Sequence, residues 1–399
     1  MIRKHVLRAF FCAALLFAGV EGVAWGQAVR PEVGKPLQEA QALIKAGKGR
    51  EALSKIGAAE AVPNRTAQEN SLIAQMRFAA ASSAKDYEGI IKGGEALIAS
   101  GKSDVRTVQS IAVAYYSNKD YANAAKWTQR YFKEGGNDPA MRTMLLQSYF
   151  LSNNCSEVNR MLGSATEEGS SHRASEEELQ MAANCYLRQN DTGGYVASIE
   201  KLVVMYPKKQ YWTDLLARVQ KKPGFSDRLG VDVYRLKLAT GNITSAADYM
   251  EFAQLALQQG VPAEARQILD KGYAAGALGK GDEAARQQRL RDLITKSQEE
   301  SLKKRAEDEK EALASREGGE LVKVGLNYVY EGKADKGFPL IEQGIKKGNL
   351  KRPEDAKLRL AEAQLQAGRK EAAVRTLREV KNVDGAGDIA RLWILYARG

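Results

Sequence analysis

The 399-residue sequence predicts an all-α solenoid, about ten helix-turn-helix repeats stacked side by side and closed by a C-terminal capping helix. Three observations carry that fold class. Tyr115 and Tyr149 lie 34 residues apart, as do Ala124 and Val158. Around each tyrosine the apolar residues recur in steps of three and four, the spacing that lines one face of a helix. No run of alternating apolar residues between turn signals reads as a convincing strand. A small residue early in the second helix of each pair has a physical reason, because a bulky side chain there would push the two helices apart.

The two clearest repeats set the pattern. The first reads Val108, Ile111, Ala112 and Tyr115, then a polar turn from Ser117 to Asp120, then Tyr121, Ala124, Thr128 and Tyr131. The second reads Leu145, Leu146 and Tyr149, a turn at Ser152 to Asn154, then Val158, Leu162 and Ala165. Before them, residues 27–35 with Pro31 and Gly34 read as a flexible lead. Ala40, Leu43, Gly47, Ala52, Ile56 and Ala59 follow as one repeat, and Leu72 to Leu97 as a degenerate one. After them, Gly163 to Ser175 is rich in Ser, Gly and Glu and reads as an exposed loop. Leu179 to Pro207 resumes the pattern, and Trp212 to Val219 pairs with Leu229 to Leu238. The N-terminal repeats are placed at 36–240 and the C-terminal repeats at 241–399.

In the C-terminal half the turn glycine Gly260 precedes Gly332 by 72 residues, and Gly332 precedes Gly368 by 36. That spacing leaves room for one hidden two-helix unit, the charge-dense segment 282–318. Two readings are open for it: a long solvated helix or helix pair with an apolar stripe through Leu290, Ile294, Leu302 and Ala306, or an interaction arm. Its Glu299/Lys303 and Glu300/Lys304 pairs stand four apart in the favourable order. Asp388 to Ala397, with Leu392, Trp393 and Leu395, supplies the closing helix.

Residues 1–26 carry the three marks of a secretory signal peptide: basic Arg3, Lys4 and Arg8, an apolar run from Ala9 to Val20, and Ala24-Trp25-Gly26 before Gln27. The run is short for a membrane span, and no later stretch is apolar enough, so a periplasmic protein with no membrane span after cleavage is expected. Cys12 lies inside the run, where it makes a poor lipidation site. Cleavage lowers the formal charge from +11 to +9. Export and the scatter of the charges argue against nucleic acid, leaving a solvated surface or attraction to anionic envelope polymers or an acidic partner. Cys155 and Cys185 survive cleavage in an oxidising compartment. A disulfide between them closes a loop worth about 3.5 kcal/mol, the alternative being two buried thiols.

The catalytic inventory is thin. His172 is the one histidine left after cleavage, far from either cysteine, so neither a zinc site nor a nucleophile–histidine pair of the usual kind is assembled. Glu176 to Glu178 and Glu307 to Glu309 offer carboxylates, but neighbours on a helix point in different directions. Gly93-Gly94 and Gly193-Gly194 do not open a helix after a strand and read as turn or helix-packing residues. No enzyme activity, metal or cofactor is expected.

The 34-residue period, with its tyrosines and small residues at Tyr115/Ala124, Tyr149/Val158 and Ala253/Gly260/Ala265, resembles the tetratricopeptide repeat family. The C-terminal segments Gly348 to Pro353 and Asp388 to Trp393 resemble the ends of exported proteobacterial repeat proteins, some of which accompany TonB-type energy-coupling systems. The family implies a right-handed superhelix whose first helices line a concave groove for a peptide or a partner's helix. Its groove positions fall here on Gln109, Val113 and Tyr116, on Met144, Gln147 and Phe150, and on Gln180, Met181 and Asn184. Gln109, Val113 and Gln147 depart from the lysine and asparagine that clamp a terminal carboxylate in the chaperone-binding subgroup. What is implied is a protein or peptide partner in the cell envelope, with these groups either open to it or packed between helices. The second class of function is a binder of anionic polysaccharide or peptidoglycan. Oligomeric state is not legible.

Overall fold

The computed structural model describes residues 29–101, 104–164 and 173–398. The signal segment, Cys12 and His172 lie outside the described residues, as does most of the Ser- and Gly-rich loop. Among the described residues the chain is helical, with twenty α-helices, one short 3-10 turn and no strand. It forms two compact units, Met1–Met161 and Leu162–Gly399.

The first unit holds α1 (Pro31–Lys45), α2 (Gly49–Glu60), α3 (Ala67–Ala84), α4 (Tyr87–Ala99), α5 (Val105–Ser117), α6 (Tyr121–Lys133), α7 (Pro139–Leu151) and the start of α8 (Cys155–Ser164). Consecutive helices pair as hairpins, and the buried positions are the periodic ones: Val108, Ile111 and Ala112 on α5, then Ala124, Thr128 and Tyr131 on α6. Ala124 and Val158, the small residues 34 apart, are fully buried where helices approach. Gly94 is also a packing residue, since a Cβ there would stand 2.6 Å from Ile111 Cγ1. Cys155 opens α8 and is disulfide-bonded, as is Cys185 in the following helix.

The lead is shorter than the sequence suggests. Pro31 occupies the first turn of α1, where its missing N–H costs nothing, and Val33 and Gly34 are already buried. Ahead of it, Arg30 forks onto Glu69, Nε to Oε1 at 3.0 Å and NH2 to Oε2 at 2.9 Å. Glu69 also closes a capping box with Thr66 at the start of α3. The Arg30 guanidinium and the backbone N–H of Thr66 hold the Glu69 carboxyl down at about 2.

One reversal recurs through both units. After the first helix a residue takes a left-handed conformation, and the next residue's N–H reaches back to a carbonyl five residues earlier, a Schellman closure. Lys119 has φ +65° and Asp120 N–H donates to Tyr115 O at 3.0 Å. Gly47, Lys85, Asn153, Asn190, Gly260, Gly332 and Gly368 take the same place in seven other hairpins. Asp86, Asp120 and Asp191 then cap the second helix by accepting a backbone N–H.

The second unit holds α9 (Glu176–Arg188), α10 (Thr192–Met205), α11 (Lys209–Gln220), α12 (Gly230–Ala239), α13 (Ala246–Gln258), α14 (Pro262–Ala274), α15 (Ala284–Ala314), α16 (Gly319–Tyr330), α17 (Ala334–Lys347), α18 (Pro353–Gln366), α19 (Lys370–Arg378) and α20 (Ala386–Arg398). Segment 282–318 takes the long-helix reading rather than the two-helix unit that the glycine spacing allowed: α15 runs 31 residues unbroken, because it contains no glycine or proline to reverse it. Leu290 and Ile294 face inward as expected, whereas Leu302 is 45% exposed and Arg305 and Ala312 take the inner face. Eleven residues return a helix to within about 20° of the same direction, and eight do not. Lys347 donates to the last carbonyls of α15, Ala312 O at 3.1 Å and Leu313 O at 2.6 Å.

The closing helix does more than cover an end. One apolar cluster contains Trp212, Leu215, Leu229 and Leu236 together with Leu358, Ile389, Leu392 and Trp393, so α20 packs back on the early helices of its own unit. Tyr396 meets Trp212 and Trp393 edge to face at 6.3 and 5.5 Å. The division expected near residue 240 falls inside this unit, where α12 is held both to α13 and to α18.

The turns and the Arg30–Glu69 fork each set a measurable stability. Gly368, at φ +75° with nothing within 4 Å of where a Cβ would stand, should lose about 1–2 kcal/mol on change to Ala. Lys119→Gly should gain up to about 1 kcal/mol, both effects being read from urea unfolding midpoints. Glu69 has its pKa lowered in the folded chain, so its contribution is complete above about pH 4.3 and drains away as pH falls toward 2. Hydrogen exchange of the α1 amides between pH 5 and about 2 should show that loss in the native chain and a much flatter profile in Arg30→Met.

Candidate functional site

In the first unit, α5 and α7 carry six of the residues expected to line a groove, and much of their polarity is spent between helices. Gln109 Nε2 donates to Asp138 Oδ2 at 3.2 Å, beside the cap of α7, and Tyr116 Oη donates to Gln147 Oε1 at 2.8 Å. Burial raises the Tyr116 phenol above its ordinary range. Met144 and Gln147 are buried, whereas Gln109, Val113, Tyr116 and Phe150 are half-exposed. Tyr115, on another face of α5, stacks on Trp127 at 6.5 Å and donates to Glu95 at 2.9 Å. Burial, and then that carboxylate, push its phenol up to about 12.

In the second unit, Gln180 Nε2 donates to Tyr211 Oη at 2.6 Å, and the Tyr211 hydroxyl donates to Glu176. Met181 is buried, and Asn184 is exposed with its amide on the Gln180 carbonyl.

The unit's interior holds a constellation that sequence reading missed. Arg235 on α12 is 6% exposed and engages three carboxylates. Its Nε and NH2 fork onto Glu264 at 2.7 and 2.6 Å, and its NH1 meets Asp232 at 2.6 Å and Glu362 at 2.9 Å. Trp393 Nε1 donates to the other Glu362 oxygen at 2.8 Å. Arg359 reaches Asp232 at 3.2 Å, and Arg228 forks onto Asp355 at 3.0 Å through both nitrogens. The pairs 228/355, 232/359 and 235/362 share a separation of 127 residues, so α12 and α18 lie side by side in the same direction.

Arg235, Glu264 and Glu362 floor a cavity of about 290 Å³, walled by Phe252, Ile268, Leu365 and Trp393 and opening past Lys271 and Tyr396. Burial, then the Asp232 carboxylate, push the Glu362 carboxyl well above the usual carboxylate range, and the bonds from Arg235 and Trp393 offset this only in part. Burial likewise keeps the Tyr330 phenol neutral far above its ordinary range. One sequence signal was there to read: Asp232, Arg235, Glu264 and Glu362 each sit among apolar or small residues, at positions where a helix turns inward.

Among the described residues, no group of three or more His, Cys, Asp or Glu side chains is arranged to hold a metal ion, and no helix is long and apolar enough to cross a membrane.

The tetratricopeptide repeat family model matches residues 355–383, spanning most of α18 and all of α19. The same reversal and small-residue packing recur along the described chain, so the matched repeat at α18 and α19 lies within an all-α fold of similar helical hairpins, the kind of repeat fold that suggests a protein-interaction scaffold. No curated protein matches the sequence. Among solved structures, yeast Tom70 is similar at 12% identity over 92% of this chain and 95% of that one, with a TM-score of 0.26. The P58(IPK) TPR domain is similar at 12% identity over 91% and 98%, with a TM-score of 0.26. The Naa15/Naa10 assembly bound to HypK-THB is similar at 14% identity over 90% of this chain, which spans 58% of that one, with a TM-score of 0.34.

Arg235→Met should cost about 3–5 kcal/mol in urea unfolding, because three carboxylates would stay buried without the cation that engages all of them. A loss below about 1 kcal/mol would mean that water already reaches the cluster.

Proposed function

We propose that the chain is an exported, non-catalytic scaffold that binds a protein or peptide partner along the first helices of its repeats. It serves as an adaptor in a bacterial envelope complex for energy coupling, secretion or outer-membrane assembly. The observation that carries the reading is the surface of α5 and α7, where Val113, Tyr116 and Phe150 remain half-exposed while neighbouring Met144 and Gln147 are buried. Aromatic and apolar groups fixed on rigid helices suit a partner's helix or an extended peptide. The leader-like residues 1–26 support export, and the two disulfide-bonded cysteines suit an oxidising compartment.

Two measurements test this. The form isolated from the periplasm should begin at Gln27, and a cytoplasmic chain retaining Met1 would overturn export. Capture from envelope extracts should recover a defined protein whose yield falls about tenfold or more with Tyr116→Ala and Phe150→Ala together. Unchanged recovery would overturn the groove. Salt-sensitive retention of glycan with no such protein would assign the +9 mature chain to an anionic envelope polymer instead.

A further inference from the structure

Beside the cavity of the second unit the buried carboxylates outnumber the guanidinium groups, and the one further cation of the lining, Lys271, is exposed to solvent. Four buried carboxylates, Asp232, Glu264, Asp355 and Glu362, face three guanidinium groups, Arg228, Arg235 and Arg359. Arg228 and Arg359 sit toward the Asp355 end, so the surplus falls on the cavity side, at Glu362. A bare carboxylate in so dry a place is costly, and it is neutralised by a proton or by a cation from outside.

We propose that this cavity is a receptor for a compact organic cation, an alkylammonium or guanidinium group on a slim apolar stem. The walls suit both parts of such a ligand. Phe252, Ile268 and Leu365 offer apolar contact to the stem, and the rings of Trp393 and Tyr396 can face the charge. A volume of about 290 Å³ lies near the low end of small-ligand pockets and holds one long side chain or a ligand of similar size. An anion fits poorly. Four of the five N–H donors of Arg235 are already committed to carboxylates, and Lys271 at the mouth is exposed to solvent. Across the mouth, Gln366 Nε2 donates to Gln267 Oε1 at 3.2 Å, and Gln267 donates to the Tyr330 carbonyl, so the entrance is edged by amides rather than closed by bulk.

The cation takes the place of a proton. As the ligand enters, the Glu362 carboxyl releases its proton to solvent, and the total charge in the cavity is unchanged. The groups facing Glu362 are Asp232 and Arg235 from α12, Glu264 and Lys271 from α14, Tyr330 from α16, Arg359 beside it on α18, and Tyr396 from α20. Of the two carboxyl groups that line the cavity, Glu264 is forked by Arg235 through both oxygens, whereas Glu362 shares the Arg235 NH1 with Asp232, so Glu362 is the group that exchanges the proton. Affinity should therefore rise with pH.

Titration calorimetry on the mature full chain decides the matter, with n-butylammonium and propylguanidinium as free cations, a blocked Gly-Arg-Gly peptide as a chain-borne one, and butanol and butyrate as neutral and anionic controls. The cations should bind about tenfold or more tighter than either control, with an enthalpy that changes between buffers as a released proton is taken up. Binding of the free cations points to a small-molecule ligand, and binding of the peptide alone points to a partner's side chain. Glu362→Gln should weaken the cations about tenfold or more, and exposed Lys271→Gln should tighten them. Equal binding of butanol, preference for butyrate, or no binding of any cation would overturn the proposal. Should Glu362→Gln fail to fold, unchanged cation affinity in both Lys271→Gln and Tyr396→Ala would overturn it as well.

Discussion

A chain that doubles back within two or three residues needs one residue in a left-handed conformation, and that requirement organises everything else in this protein. Eight hairpins meet it in the same way, with the reversal locked by a backbone bond five residues long. Once the turn is set, the two helices have little freedom to slide, and the faces that meet are decided by the side-chain period. Among the links from a first helix to its hairpin partner, one departs from this, from Lys221 to Leu229 between α11 and α12, which contains Pro223 and Gly224 and a 3-10 turn. At that loosened corner the C-terminal region docks. Ser226 N–H donates to Asp384 O at 3.0 Å, and Lys222 pairs with Asp388 at 2.6 Å. Where the standard reversal is missing, the unit acquires a seam.

The seam brings charge into the interior. Replacing buried ion pairs by apolar groups is often neutral or stabilising, so the driving force for closure lies with the apolar cluster that joins Trp212 and Leu215 to Ile389 and Trp393. The charges do something else. Three pairs at one constant separation run along α18 from the 3-10 turn at Arg228 into α12, and a slip of one turn would unpair all of them at once. Apolar side chains tolerate such a slip far better than a buried guanidinium does. Arg235 and its neighbours thus act as a register key for two parallel helices.

Much of this was legible from residues alone, for a local reason. Period, turn and small-residue spacing are short-range properties, so the hairpins around Tyr115 and Tyr149 and the turn glycines Gly47, Gly260, Gly332 and Gly368 could be read directly. The single helix α15 was harder, because a repeat count inferred from glycine spacing presumes a reversal that its residues do not contain. The apolar flanks of Asp232, Arg235, Glu264 and Glu362 marked them as inward-facing charges, but the cavity they come together to form was not legible. Glu362 and Arg235 are 127 residues apart, and no periodic pattern links a charge on one helix to its counter-charge on another. The groove positions were located, yet whether Tyr116 pointed to solvent or to Gln147 depended on how adjacent repeats pack.

That last contact constrains what the first unit can recognise. Tyr116 and Gln147 satisfy each other, and Gln109 is engaged by Asp138, so a partner laid along α5 and α7 would have to break these bonds to gain its own. Such an exchange is close to neutral in free energy, since each new hydrogen bond replaces an existing one. Discrimination along this face therefore rests on apolar fit against Val113, Phe150 and the ring of Tyr116, which lose nothing on being covered. A surface built this way favours a partner with an apolar helical stripe over one read by its polar side chains.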